Sequence, residues 1–411
     1  MQSPRTCFVD WCKRYGEKHK ALPEDWWVRS IDATISRAPA SRSDASPRKT
    51  RGGAPTKRLA YLETLRGLAC ILLVSWHVVG EGTGTSGLRL PVDHPLEWSN
   101  FIFTPLRMPL FAFISGYVFN AFVQNWQGVD ERLRQKARRL LLPLVVVGTL
   151  HFVLQSLVKG QDLRGVWYVY FGSYEHFWFL QVTFIIMAVL LAVNLLLKGR
   201  ELVAAAICLA VAVPLYLVDF DLEPVDWFSV TKVLYLAPFF FIGQLFCKAG
   251  LDARLQSNAP MRLALLFAIG VAMTSLYLAF ANHIDIFGVP FSKHSAPMLS
   301  LSLLICAFFF TLRWENKVLT WVGSYAYAIF LFHVIFSAGF RTFEGRFVNL
   351  HDPYLIWALS VMIGLAGPVA AAELLQRGPP ILKTVFLGVR YTPRNGMLKA
   401  GGIARDVERG G

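Results

Sequence analysis

Ten apolar runs, near 60–80, 101–124, 140–158, 177–197, 201–218, 231–248, 262–281, 296–313, 318–340 and 354–375, each approach the length a helix needs to cross a bilayer. A hydrocarbon core takes roughly 20 residues of helix, and it contains no water to satisfy a backbone that is not hydrogen-bonded to itself. Ten such runs in 411 residues confine the chain to one class: an all-α, polytopic membrane protein with about ten transmembrane helices. The composition agrees, with 55% hydrophobic and only 17% charged residues, outside the usage of soluble domains.

The net charge of +14 invites a nucleic-acid reading, but it forms no stripe on a soluble domain. Thirteen Lys/Arg against six acids lie in residues 1–58, a Pro-, Ser- and Gly-rich segment expected to be disordered, basic and cytoplasmic. With the N-terminus inside, the inner loops hold Arg132, Arg134, Lys136, Arg138, Arg139, Lys198, Arg200, Lys248, Arg254, Arg262, Arg313 and Lys317. The outer loops hold about half as many, namely Arg89, Lys159, Arg164, Lys293, Arg341 and Arg346. By the positive-inside rule both termini are cytoplasmic, which an even number of spans requires. The expected partners therefore include the lipid bilayer and no nucleic acid. Residues 59–376 form the expected membrane domain and 377–411 a cytoplasmic tail in which little folds. The six cysteines have no framework spacing and are expected as free thiols.

Ionisable side chains inside spans are costly and point to function by default. Arg66 and His77 lie eleven residues apart in the first run, about three helical turns, so both project from one face roughly 16 Å apart along the axis. The orientation puts Arg66 in the inner third and His77 in the outer third. Arg107 in the second run, His176 at the head of the fourth beside Trp178, and His333 in the ninth share the outer depth. Arg66 and the basic run Arg132–Arg139 lie toward the inner side. This division suggests an anionic donor held by inner arginines, with its reactive end delivered to an outer histidine that acts as base toward a hydroxyl. Plainer readings remain open: snorkelling for Arg66 and His77, an interfacial anchor for His176, packing for His333, topology for the basic run, and close helix packing for Ser115-Gly116. No HExxH, CxxC or GxxxxGK[ST] pattern occurs, so neither a metal nor nucleotide hydrolysis is expected from local spacing.

The segments LETLRGLACILLVSWH, LRMPLFAFISGYVF, HFWFL and SYAYAIFLFH, in this order, together with Lys136 to Arg139 ahead of Pro143, resemble the membrane-bound acyltransferase 3 family. The resemblance spans about 62–340. It implies a ten-helix enzyme of the bacterial inner membrane that moves an acyl group, acetyl as the first expectation, from cytoplasmic acyl-CoA to a hydroxyl of a cell-envelope or exported carbohydrate. It further implies that His77 is the catalytic base, that Arg66 supports the donor, and that Lys136 and Arg139 contact CoA. Glu63 stands where the family commonly has an Asp, a carboxylate one turn from Arg66. The appended C-terminal esterase-like domain of some members is not expected, so helices, outer loops or an envelope-biosynthesis partner protein would position the acceptor.

The residues thus assigned are His77, Arg66 and Arg107 for catalysis, Arg107 as oxyanion donor by depth alone; Arg66, Lys136 and Arg139 for acyl-CoA; and Glu63, His176, Trp178 and His333 for substrate. Direct transfer is preferred, with an acyl-enzyme on His77 or Ser115 left open. The competing class is a transporter or flippase for an anionic or sugar-linked substrate, which would use the same groups as alternating sites without releasing CoA.

Overall fold

The computed structural model describes residues 57–80, 87–91, 94–160, 162–218, 220, 226–282 and 294–389. The basic N-terminal segment up to residue 56 and the tail beyond 389 lie outside them. Among the described residues every regular element is helical.

The order is α1 (Lys57–Val79), α2 (Pro95–Ile102), α3 (Arg107–Val118), α4 (Trp126–Lys159), α5 (Tyr168–Phe171), α6 (Trp178–Leu196), α7 (Glu201–Leu217) and α8 (Val230–Lys248). Then come α9 (Leu251–Ser257), α10 (Ala259–Ala281), α11 (Ala296–Leu312), α12 (Lys317–Ser324), α13 (Ala326–Phe347), α14 (Pro353–Arg377) and α15 (Pro380–Leu387). Among the described residues, eight spans are long and apolar enough to cross a membrane, a ninth if the bent pair α11–α12 counts as one. The polytopic architecture stands, with each of the ten apolar runs forming helix. The lower count arises because α7 and α11 have only 17 residues each, while the run at 318–340, broken at Tyr325, still supplies one span. There α12 joins α11 at 114° and leaves α13 as the span.

Caps fix several of these boundaries. Asn125 accepts from the Gly128 amide at 2.8 Å to start α4, and left-handed Gly160 ends it. The Asn316 side chain accepts from the amides of Val318 and Leu319, while its own amide donates to Thr64 Oγ1 at 3.1 Å. The start of α12 is thereby tied to α1.

Two helix crossings hold the inner bundle, and both depend on glycine. On α3 and α8, Gly116 lies against the Phe240 backbone and Gly243 against the Phe113 backbone. On α1 and α12, Gly67 meets Leu319, and Gly323 meets Glu63. Each pair is an antiparallel crossing in which a missing Cβ lets backbones touch, the main attraction available where lipid removes the hydrophobic drive. Gly116 is therefore a packing residue. At the other extreme, only 6% of the apolar window of α10 is buried, so this helix presents most of its surface outward.

The chain also orders further than expected past 375. α14 continues to Arg377, and α15 packs on α4 with Leu387 buried. Left-handed Gly388 brings that end against the backbone of Arg138 and Arg139. Seven residues of ILKTVFL are too few to announce a span, but enough to bury one apolar edge. Cys70, Cys208, Cys247 and Cys306 are free thiols, as expected, while Cys7 and Cys12 lie outside the described residues.

Candidate active site

The α1 helix carries the site's two ends. Near its start Arg66 pairs with Glu63, both side chains mostly buried, in the i,i+3 geometry that a helix supplies without loop ordering. Facing them on α4 are Lys136 and Arg139. The guanidinium of Arg139 stacks 4.7 Å over the Tyr327 ring, whose hydroxyl donates to the Arg139 carbonyl. Lys136 Nζ lies 5.3 Å over the Phe119 ring. Arg66, Arg132, Lys136 and Arg139 are near enough for their fields to overlap. Convergent cations with aromatic supports hold phosphates well, because the rings fix guanidinium and ammonium groups without neutralising them.

Three turns along α1, a second cluster forms. His77 of α1, His333 of α13 and His176, immediately ahead of α6, present ring nitrogens that all lie within 4.8 Å of one another. Their ring centroids are 4.9 Å apart for His77–His333, 5.6 Å for His77–His176 and 4.8 Å for His176–His333. His176 and His333 are buried, and His77 is partly open. His333 Nδ1 lies 2.9 Å from the Ile329 carbonyl and 3.0 Å from that of Phe330. Carbonyls only accept, so the proton sits on Nδ1 and the Nε2 lone pair faces the cluster. Trp76 meets His77 edge-on, and the buried Arg107 guanidinium lies 5.0 Å from the Trp76 ring centroid. The ring is a bridge between the two.

A cavity of about 270 Å³ adjoins Arg107, with Ser75, Asn100 and Trp357 as polar wall and Ile71 and Leu72 as apolar wall. Ser75 and His77 diverge by about 200° around the helix, so this cavity flanks the imidazoles rather than containing them.

The sequence-assigned residues thus fall into two groups: Glu63, Arg66, Lys136 and Arg139 at one end, and His77, His176, His333 and Arg107 at the other. Trp178 belongs to neither. Its ring meets Phe179 and makes no ring contact with the imidazoles. Local motifs missed two residues. His151 lies 5.8 Å from His176 and shares a 2.8 Å hydrogen bond with the Tyr174 hydroxyl. Tyr327 supports Arg139. A histidine inside an apolar run was the available signal for the first; the second lies within the segment SYAYAIFLFH, but no spacing ties it to Arg139.

The acyltransferase domain model of the acyltransferase 3 family matches residues 59–373. The chain belongs to that family. Its matched region runs from the start of the described part of α1 almost to the end of α14 and includes both residue clusters. This makes the protein a membrane acyltransferase and removes the transporter reading. No curated protein and no solved structure matches the chain. Within the matched region, α1 carries a cationic cluster at one end and an imidazole cluster at the other.

Proposed function

We propose that this acyltransferase takes an acyl group, acetyl first, from cytoplasmic acyl-CoA and delivers it to a hydroxyl of a cell-envelope or exported carbohydrate at the opposite face of a bacterial inner membrane. The observation that carries the reading is the separation along α1. Arg66, grouped with the aromatic-braced cations Lys136 and Arg139, stands about 16 Å along the α1 axis from His77, one of three clustered imidazoles. Such an arrangement suits a donor with phosphates at one end and a thioester at the tip of a long arm.

In the proposed step His77 removes the acceptor proton as the hydroxyl oxygen attacks the thioester carbonyl. Arg107 donates to the oxygen that becomes negative, and His176 and His333 line the chamber. Collapse of the tetrahedral species breaks the C–S bond, and the imidazolium returns its proton to the departing thiolate. Carbon–oxygen bond formation and carbon–sulfur cleavage balance, with no net proton released. Glu63 holds Arg66 in place for the donor.

The test compares ester-linked acyl groups on envelope glycans from cells carrying wild type or His77→Ala at equal membrane levels. Loss of one ester signal supports the assignment and identifies the acceptor. An unchanged profile removes His77 as the base. In purified protein the expected fall in CoA release is about 10²–10⁴-fold, the usual contribution of a positioned base.

A further inference from the structure

Two of the three clustered imidazoles carry a cost that acyl transfer by one base does not explain. His333 Nε2 is buried without a hydrogen-bond partner. Both nitrogens of His176 are buried without a bond of good geometry, although the Leu331 backbone faces the ring. Buried ring nitrogens left in this state are uncommon and call for a ligand. We propose that His77, His176 and His333 form a binding site for a borderline divalent transition metal of the Zn²⁺ class, and that occupancy by the metal shuts off transfer by taking the His77 lone pair. The second half rests on the reading of His77 as base.

The donor chemistry fits. Imidazole suits Zn²⁺, Co²⁺ and Cu²⁺, and three imidazoles leave a fourth position open. The Nδ1–H of His333 on backbone carbonyls is the outer-shell contact that fixes a ligating tautomer. Metal–nitrogen bonds of about 2.0–2.1 Å in a tetrahedral site put ligand nitrogens roughly 3.3 Å apart. Closing from at most 4.8 Å therefore takes a shift of about 1.5 Å between ring nitrogens, a distance within the reach of side-chain rotation. The ligands come from three separate elements, which is why a search for local metal-binding spacing finds nothing.

Charge decides what fills the fourth position. Among the described residues, the groups whose fields reach His77 are Arg107, Arg341, His333 and His151, with no carboxylate among them. A dication beside two guanidiniums needs an anionic fourth ligand, such as hydroxide or chloride. The same guanidiniums favour that anion. The bound form is then a three-imidazole metal with an anion braced by arginine, a dead-end state for a base that must hold a lone pair.

The experiment uses the full chain, purified in detergent and stripped with a chelator. Co²⁺ titration followed by visible absorption tests the site, and CoA release with and without Zn²⁺ tests the consequence. One tetrahedral Co²⁺ per chain is expected in wild type. The bands should be lost in both His176→Phe and His333→Phe, each first shown to elute as a monodisperse species. Bound Zn²⁺ should lower CoA release about 100-fold or more, reversibly with chelator. Absence of the bands, or bands unchanged in both variants, overturns the site while CoA release by metal-free protein leaves the base assignment standing. Full CoA release with metal bound to the three histidines overturns the shut-off and the base assignment together, as does release that requires metal. If the protein releases no CoA either with or without metal, the acyl-CoA reading fails, and the Co²⁺ stoichiometry still decides the site.

Discussion

Glycine-to-alanine substitution should have opposite consequences at two helical positions of this protein, and the structure supplies the sign. At Gly270 of α10 an added Cβ meets nothing within 4 Å. At Gly116 of α3 it would fall on the Phe240 carbonyl, with the carbonyl carbon at 2.7 Å and Cα at 3.0 Å. Both variants gain the same helix propensity, up to about 1 kcal/mol, so that contribution cancels in the comparison. What remains is the collision. To bring the Cβ to an ordinary contact with the Phe240 carbonyl oxygen, α3 and α8 must part by roughly 1.5 Å, which forfeits about half or more of the dispersion well for each pair of facing atoms. Overpacking of this kind costs about 1–3 kcal/mol, and the reciprocal contact of Gly243 with Phe113 opens at the same time. Gly270→Ala is therefore expected to melt at or above wild type, and Gly116→Ala several degrees below Gly270→Ala. Thermal unfolding in detergent, followed by loss of the monodisperse elution peak, measures the difference. Equal shifts in the two variants would refute the argument that backbone contact at this crossing holds the bundle.

Two further outcomes follow from the same geometry. Tyr327→Leu removes the ring under Arg139 and should raise the KM for acyl-CoA by about 2- to 30-fold with little change in kcat, matching a cation–π contribution of about 0.5–2 kcal/mol; an unchanged KM would separate Arg139 from the donor. Asp226, outside the spans, tests pH linkage. Burial alone would raise its carboxyl, but donation from Thr231, Ser173 and Lys232 outweighs this and holds it below its ordinary value of 3.8. A depressed carboxyl stabilises the fold above its unfolded value, and that contribution fades as pH falls below 3.8 toward the folded value. The stability advantage of wild type over Asp226→Asn should thus be full near neutrality and shrink below about pH 4, and a pH-independent gap would contradict the assignment.

How far the sequence reached can be read residue by residue. Apolar run length dictated helices, because a span in lipid has no other way to satisfy its backbone. The eleven-residue interval between Arg66 and His77 put two polar groups on one stripe of one helix, since the helical period is a local property. Those facts, with four ordered segments, sufficed for the family. Tertiary structure alone decided which histidines meet. His77, His176 and His333 are separated by at least 99 positions along the chain and share no periodicity, so only the packing of α1, α13 and the turn before α6 brings their nitrogens within 4.8 Å. It likewise left Trp178 outside the cluster, set Tyr327 beneath Arg139, and broke the run at 318–340 into α12 and α13. The physical reason is range: propensity and hydropathy act over a few turns, whereas these contacts join segments about a hundred residues or more apart.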